Sequence, residues 1–160
     1  MKFTEYTDES AFDTLERSWN ELVQRSVSNT PFQTWEWNSA WWAAYQPGDL
    51  WIVTCEDDAG HLLGIAPWFL DNERVLRFIG HIDVTDFMDL IVDADQQATA
   101  YTAYAQFLAD HKDKFERIGL ANILSTSPTY TDFPDALREQ GFDVSFEQND
   151  VAPRIDLPAD

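Results

Sequence analysis

The chain has 160 residues, of which 44% are hydrophobic, so it is long and apolar enough to form one globular domain with its own core. Ten Lys and Arg residues against 29 Asp and Glu residues give a net charge of −19. A surface with this charge repels phosphate backbones and anionic lipid, which argues against nucleic acid and membrane surfaces as partners. No apolar run is long enough to span a bilayer, and the N-terminus lacks the apolar segment of a signal peptide, so a cytoplasmic protein is expected.

The acidic residues are scattered along the chain, whereas lysine occurs only at Lys2, Lys112 and Lys114. Dispersed carboxylates with few lysines fit a protein that works at high salt, where counter-ions screen the self-repulsion. The single cysteine, Cys55, excludes a disulfide within the chain. Acidic residues at 56 to 58 would raise the pKa of its thiol, so a buried structural role is predicted instead of a nucleophilic one.

The first part of the chain predicts a short strand followed by a helix. Residues 1 to 6 alternate in polarity, as a strand does. Apolar residues then recur at helical spacing from Phe12 to Val23, and Thr7 and Asp8 before them are suitable N-caps.

A tryptophan-rich segment, residues 34 to 45, predicts a second helix with a threonine at its N-cap position. Trp37 and Trp41 fall on one face of this helix, which is predicted to face the core. Trp35 and Trp42 fall off that face, so they are candidates to reach a groove or a partner domain.

Apolar runs bounded by short turns predict four consecutive strands of one antiparallel meander. Gly64 and Pro67 interrupt the second of them, which predicts a bulge or an edge strand. The four predicted strands are Leu50 to Glu56, His61 to Leu70, Val75 to Ile79 and Phe87 to Val92.

The last part of the chain alternates helix and strand. A helix is predicted from Asp93 or Asp95 to Asp110, and a second from Asp132 to Gln140 with Gly141 after its end. Strands are predicted at Glu116 to Leu120, Phe142 to Glu147 and Val151 to Leu157. Together the elements predict one α/β (α+β) domain, with a mixed, mostly antiparallel sheet and helices on both faces.

The order of these elements is that of a GNAT-type acyltransferase domain, and several short strings match it in order and spacing. They are ThrProPheGln at 30 to 33, GlyIleAlaPro at 64 to 67, PheIleGly at 78 to 80, AspPheMetAspLeuIleVal at 86 to 92 and ValAlaProArgIleAspLeuPro at 151 to 158. The chain thereby resembles the N-terminal half of the cellulose-biosynthesis (CelD-like) acetyltransferase family of the GNAT superfamily. That family is related to the Fem aminoacyltransferases.

The resemblance implies a GNAT-like (acyl-CoA N-acyltransferase) fold and a transferase that moves an acyl group from acetyl-CoA or another acyl-CoA to an amine or hydroxyl. Polysaccharide or cell-envelope biosynthesis is the implied setting, and the acceptor is a small molecule or a sugar. Residues 1 to 160 would form a single N-terminal domain. Its partner would be a catalytic C-terminal acyltransferase domain, expected beyond Asp160.

The acyl-CoA site of the family needs a Gln/Arg-x-x-Gly-x-Gly/Ala turn that opens a helix and holds the pyrophosphate. Arg77 and Gly80 have the right spacing. His81 and Ile82 follow, however, where a second small residue is required. No cofactor is therefore expected to bind this segment by itself.

The densest polar group of the sequence is His81, Asp83, Asp86 and Asp89. These residues could line a substrate cleft, with His81 as a general base, or form a solvated acidic loop. A metal is not expected, because one histidine among flexible carboxylates is a poor fixed ligand set. Asp86 and Asp89 correspond to acidic positions that recur in the family, so they are the leading substrate-cleft candidates, with Trp35 and His81 beside them. No residue is assigned a catalytic role.

A second hypothesis is a GNAT-shaped module that binds or scaffolds without catalysis. The missing CoA turn and the tryptophans off the core face of the second helix support it. In either case, an apolar face left exposed without the second domain would favour a homodimer.

Overall fold

A computed structural model describes residues 1–81, 84–149 and 151 and contains a six-stranded sheet. The strands are β1 (Lys2–Tyr6), β2 (Gly48–Glu56), β3 (Leu62–Asp71), β4 (Val75–Phe78), β5 (Ile91–Val92) and β6 (Arg117–Ile118). The α-helices are α1 (Ser10–Arg25), α2 (Trp35–Tyr45), α3 (Gln97–Asp110), α4 (Pro128–Thr131) and α5 (Phe133–Glu139). Short 3-10 turns lie at Pro31–Gln33 and Ala94–Gln96.

The sheet is mixed and mostly antiparallel, as the sequence predicts. Its strand order is β1-β2-β3-β4-β6, and β5 also pairs with β3. Among the strand pairs of the described residues, only β4 and β6 are parallel, with Val75 opposite Arg117. The N-terminal strand is confirmed as β1, which lies beside β2 with Lys2 opposite Glu56.

Helices cover both faces of the sheet, which confirms that prediction. On one face, Trp51 and Trp68 belong to a core that includes buried residues of α3 and α5. On the other face, Ile52 and Phe69 belong to a core that includes α1 and α2. Since β2 and β3 are buried on both sides, their sequences are continuous apolar runs instead of alternating patterns.

Local helix signals in the sequence are also confirmed. The Thr34 side chain accepts a hydrogen bond from the Trp37 amide at 3.4 Å, at the start of α2. The Asp93 carboxylate accepts one from the Asp95 amide at 3.1 Å, just before α3. Gly141 follows α5 with a φ of 80°, a conformation that glycine adopts without strain.

The predicted fourth strand of the meander is wrong in extent and in partner. Only Ile91–Val92 forms a strand, and it pairs with β3, not with β4. Both β4 and β5 therefore lie along the same edge of β3, one after the other. The described residues of the intervening segment, 79–81 and 84–90, lie outside the sheet, and we call them the excursion.

The excursion begins directly after β4, at a point opposite Pro67 of β3. The Pro67 carbonyl accepts a hydrogen bond from the Ile79 amide at 2.8 Å, directly after β4. In an antiparallel strand, the N–H and C=O of one residue point to the same neighbouring strand. Pro67 has no N–H, and the side on which it lacks this donor is the side of β4. The hydrogen bonds between β3 and β2 are therefore left intact. The prediction of an edge strand is thus wrong, since β3 is central. The alternative prediction, a bulge, is confirmed beside Gly64: Cys55 and Glu56 of β2 pair with Gly64 and Leu62, so the register shifts there and the extra residue, Leu63, lies on β3.

Two predicted strands near the C-terminal end also differ from the structure. Residues 142–147 are irregular, and Phe142 and Val144 pack on the core beside α3 and α5 instead of joining the sheet. The predicted strand from Val151 to Leu157 lies outside the described residues, except for Val151. No helix of the described chain is both long and apolar enough to cross a bilayer.

Candidate functional site

Three loops enclose a small cavity of about 100 Å³ on the side of the excursion. The first loop joins α1 to α2, the second is the end of the excursion, and the third precedes α4. We call it the Asp89 cavity, after the one charged residue that lines it. Its other polar lining residues are Ser28, Thr30, Gln33, Thr126 and Ser127.

Asp89 is buried, with only 7% of its surface exposed. Its Oδ2 accepts hydrogen bonds from the Ser28 hydroxyl and from the Ser127 hydroxyl, each at 2.6 Å. Such short bonds to a carboxylate are charge-assisted and stronger than those between neutral groups. One carboxylate oxygen therefore joins all three loops.

The second carboxylate oxygen, Oδ1, is buried but has no hydrogen-bond partner among the described residues. Thr30 lines the same cavity, and its buried hydroxyl has no hydrogen-bond partner among the described residues either. Buried polar atoms nearly always have partners, because an unpaired one costs about 1–3 kcal/mol. Two such atoms at one small cavity are what a binding site for a hydrogen-bond donor would present.

Burial raises the pKa of Asp89 above its ordinary value. Hydrogen bonds from Ser127 and Ser28, with smaller contributions from Thr129 and the Leu90 amide, oppose this shift and lower the pKa in part. No lysine, arginine or histidine is among the described residues that line the cavity. A carboxylate with a raised pKa is a stronger base than an ordinary aspartate, which suits it to accept a proton.

The buried residue Gln33, which is 3% exposed, holds the first loop in position. Its side-chain amide donates to the Phe87 carbonyl at 3.2 Å, and its main-chain carbonyl accepts a hydrogen bond from the Trp19 indole at 2.8 Å. The ring of Phe32 also contacts that of Phe87, with centroids 5.9 Å apart. The ThrProPheGln and AspPheMetAsp strings are therefore neighbours in space.

Two further residues hold the excursion in place. The Asn122 side chain donates to the Thr85 carbonyl at 2.9 Å, and its carbonyl accepts a hydrogen bond from the Met88 amide at 3.0 Å. From the other side, the Trp37 indole donates to the Thr85 hydroxyl at 3.0 Å. Asp89 thus sits on a segment that is fixed at both ends, although it has no regular secondary structure.

Of the four predicted cleft residues, Asp89 lines the Asp89 cavity. Asp86 is exposed on the excursion. Trp35 packs between the first two helices, where its indole donates to the Phe12 carbonyl at 2.8 Å. His81 is half-buried at the start of the excursion, and Asp83 lies outside the described residues.

Sequence reasoning missed Ser28, Thr30 and Ser127. Ser127 also caps α4, since its hydroxyl accepts a hydrogen bond from the Thr129 amide at 3.1 Å. The available signal was weak, since both loops are short runs of Ser and Thr that end in proline. Such runs are typical of turns in general.

A second, more open groove of about 610 Å³ lies where β1 ends and β2 begins. Trp42 lines it but is only 4% exposed and packs on Phe69, so its predicted place off the core face is wrong. At the same end of the sheet, Glu5 accepts hydrogen bonds from the Trp51 indole at 2.7 Å and the Lys114 ammonium at 2.6 Å. Among the described residues that line the groove, no buried side-chain polar atom lacks a partner.

Other predicted chemistry can be placed as well. Cys55 is fully buried, as predicted, and burial raises the pKa of its thiol to about 11. Arg77 forms an ion pair with Asp71, with 2.9 Å between Nε and Oδ2. Within the described part of the chain, no three His, Cys, Asp or Glu side chains form a group that could hold a metal ion.

Comparisons of the chain with protein-family models, with curated proteins and with solved structures found no match.

Proposed function

We propose that this chain is the acceptor-binding domain of an enzyme that transfers an acyl group from acyl-CoA to an amine or a hydroxyl. The reaction class comes from the family resemblance. The observation that supports a role for this site is the buried carboxylate of Asp89: the residue lines a small cavity, and its Oδ1 has no hydrogen-bond partner among the described residues.

In the proposed reaction, the N–H or O–H of the acceptor donates to Asp89 Oδ1. The acceptor atom attacks the thioester carbonyl, its new bond to the acyl carbon forms, and the C–S bond breaks. The proton of the acceptor passes to Asp89 and from there to the departing thiolate of CoA, which restores the Asp89 carboxylate. The raised pKa of Asp89 favours the proton transfer, and the two serines on Oδ2 fix the direction of Oδ1.

The size of the cavity limits what it can hold. Pockets for whole small molecules usually measure roughly 300–1,000 Å³, so about 100 Å³ accommodates only the reacting group of an acceptor. Val27 and Leu124 line the cavity and remain 53% and 36% exposed, which marks its opening. The rest of the acceptor would contact this apolar rim.

The test is a comparison of Asp89→Asn with Asp86→Asn in the intact protein, with acetyl-CoA and a panel of amine and sugar acceptors. Asparagine keeps the shape of Asp89 but cannot take the proton, so kcat/KM for the acceptor should fall by about 100-fold or more. Asp86→Asn removes an exposed carboxylate three positions away and should leave kcat/KM unchanged. Equal kcat/KM for wild type and Asp89→Asn would refute the proposal.

A non-catalytic binding module is the second candidate function. None of the six glycines lies in the turns before α1, α2 or α3, so these helices do not offer the glycine-rich phosphate turn of an acyl-CoA site. Titration of the intrinsic tryptophan fluorescence with acetyl-CoA and, separately, with oligosaccharides distinguishes the two functions. A response to sugar together with no acyl transfer by the intact protein would favour the binding module.

A further inference from the structure

We infer that the Asp89 cavity is a binding site for a monovalent cation, either an alkali-metal ion or the ammonium head of a protonated amine. The inference starts from the two buried oxygens that lack partners among the described residues, Asp89 Oδ1 and Thr30 Oγ1. The two residues that carry these oxygens line a single cavity.

The chemistry of the lining selects a cation. A carboxylate oxygen is an acceptor only, and a threonine hydroxyl can also present a lone pair. The one side-chain amide nearby, that of Gln33, already donates to the Phe87 carbonyl. An anion would meet the negative charge of Asp89 with no cationic side chain to balance it among the described lining residues.

A second reason to infer a cation is that no positively charged side chain among the described residues is paired with Asp89. Buried carboxylates are normally paired with a positive group, because removing an isolated charge from water is costly. None of the ion pairs among the described residues includes Asp89. A cation against Oδ1 would supply the pairing, and the attraction is strong at a site with little water.

Charge and size indicate a monovalent ion. Calcium and magnesium sites draw on several carboxylate or carbonyl oxygens or keep bound waters, whereas this cavity offers a single carboxylate. A volume of about 100 Å³ suits a partly dehydrated alkali ion or an ammonium group on a short stem. The net charge of −19 also raises the concentration of cations near the surface.

The inference uses the same cavity as the proposed function but not its chemistry. A protonated amine in the cavity would be the resting form of the acceptor, and that part rests on the proposed function. Cation binding itself requires no acyl transfer, so it can be tested by stability alone.

The experiment measures the thermal unfolding midpoint of wild type, Asp89→Asn and Asp86→Asn at constant total chloride. Tetraethylammonium, which is too large for the cavity, is replaced stepwise by potassium, sodium or methylammonium. In wild type, a cation at ten times its Kd should lower the unfolding equilibrium constant by about tenfold. Asp86→Asn should respond like wild type, and Asp89→Asn should not respond beyond the change seen for salt in general.

The outcomes distinguish an alkali-metal ion from an ammonium group as the bound cation. Protection by methylammonium alone identifies an ammonium site, whereas protection by potassium or sodium alone identifies an alkali-ion site and counts against Asp89 as the proton acceptor. Equal responses of wild type and Asp89→Asn to every cation would overturn the inference. If Asp89→Asn fails to fold, Thr30→Val is the deciding variant, because it removes one oxygen ligand. An apparent Kd for the cation that is at least several-fold weaker supports the site. An unchanged Kd overturns it.

Discussion

At the scale of single residues, Asp89 shows two opposed effects on one carboxyl group. Burial destabilises its charged form, and two short serine hydrogen bonds to Oδ2 stabilise it. The net effect is a pKa raised above the ordinary value, so burial outweighs the hydrogen bonds. The group is therefore kept at a cost in stability, which is typical of residues retained for function.

The raised pKa predicts a specific pH dependence for Asp89→Asn. Asp89 stabilises the fold below the unfolded pKa of about 3.9, and this contribution is lost as pH rises through the higher folded pKa. The free energy of unfolding of Asp89→Asn minus that of wild type should therefore increase from acidic to neutral pH.

Urea unfolding at several pH values, with tetraethylammonium as the only buffer cation, measures this difference. Asp86→Asn, which removes an exposed carboxylate three positions away, is the matched control. A difference between Asp89→Asn and wild type that does not change with pH would contradict the raised pKa.

Cys55 gives a second prediction at this scale. Its thiol is buried and has a pKa of about 11, so the reactive thiolate is scarce and inaccessible in the folded chain. Modification by a disulfide reagent at mildly basic pH should be at least ~100-fold slower in the native protein than in urea. Comparable rates in the two states would show that the thiol is exposed or activated.

At the scale of elements, the sheet approaches helix α3 closely at Gly64. A Cβ at this position would lie 2.7 Å from Cε2 of Tyr104, which is fully buried on α3. The Tyr104 hydroxyl also donates to the Val53 carbonyl at 3.0 Å, so the ring has little freedom to move. Glycine is therefore required here for packing, not for a turn.

Gly64→Ala should reduce the free energy of unfolding by about 1–3 kcal/mol, the usual cost of overpacking a core. Chemical denaturation of the single variant measures this cost. In a Tyr104→Leu background, which removes the ring, the same substitution should cost clearly less. Equal costs in the two backgrounds would mean that the contact with Tyr104 is not the cause.

The elements also show which features the sequence could predict. Helices α1, α2, α3 and α5 follow from local periodicity and caps, and the strands follow from apolar runs between turns. The partner of β5 and the length of the excursion could not be predicted, because Met88 and Leu90 alternate like strand residues but are buried outside the sheet. Their placement depends on contacts that have no local signature.

The candidate site was predictable only in part, for the same reason. Asp89 was identified through the family resemblance, but its partners Ser28 and Ser127 lie 61 and 38 positions away in the chain. The position of Trp35 on a helical wheel predicted that its side chain would reach a groove. A helix that packs with a broad face buries residues on both sides of the central stripe, so the wheel alone could not decide its exposure.

At the scale of the whole molecule, the net charge of −19 dominates. Most ion pairs of the described chain involve exposed side chains, as for Arg17 with Glu21, and contribute little each. The excess carboxylates therefore repel one another with few cations to balance them. Added salt should relieve this repulsion and stabilise the fold.

The free energy of unfolding is thus expected to rise between low salt and molar potassium chloride. Asp89→Asn should show most of this gain, because the gain reflects general screening and not the Asp89 cavity. Denaturation curves at several salt concentrations measure it. A stability that does not change over this range would contradict the hypothesis of a protein adapted to high salt.

The most direct test of the Asp89 site is carbon NMR of its side-chain carboxyl group, assigned by comparison with Asp89→Asn. Both the proposed function and the cation site require a buried carboxylate that titrates above the ordinary range of aspartate and faces an accessible cavity. We expect its resonance to titrate above a pKa of about 3.9 and to shift when methylammonium or potassium replaces tetraethylammonium, while that of Asp86 does not respond to the exchange. An Asp89 resonance that titrates at or below the ordinary value and is unchanged by every small cation would contradict the assignment of this site.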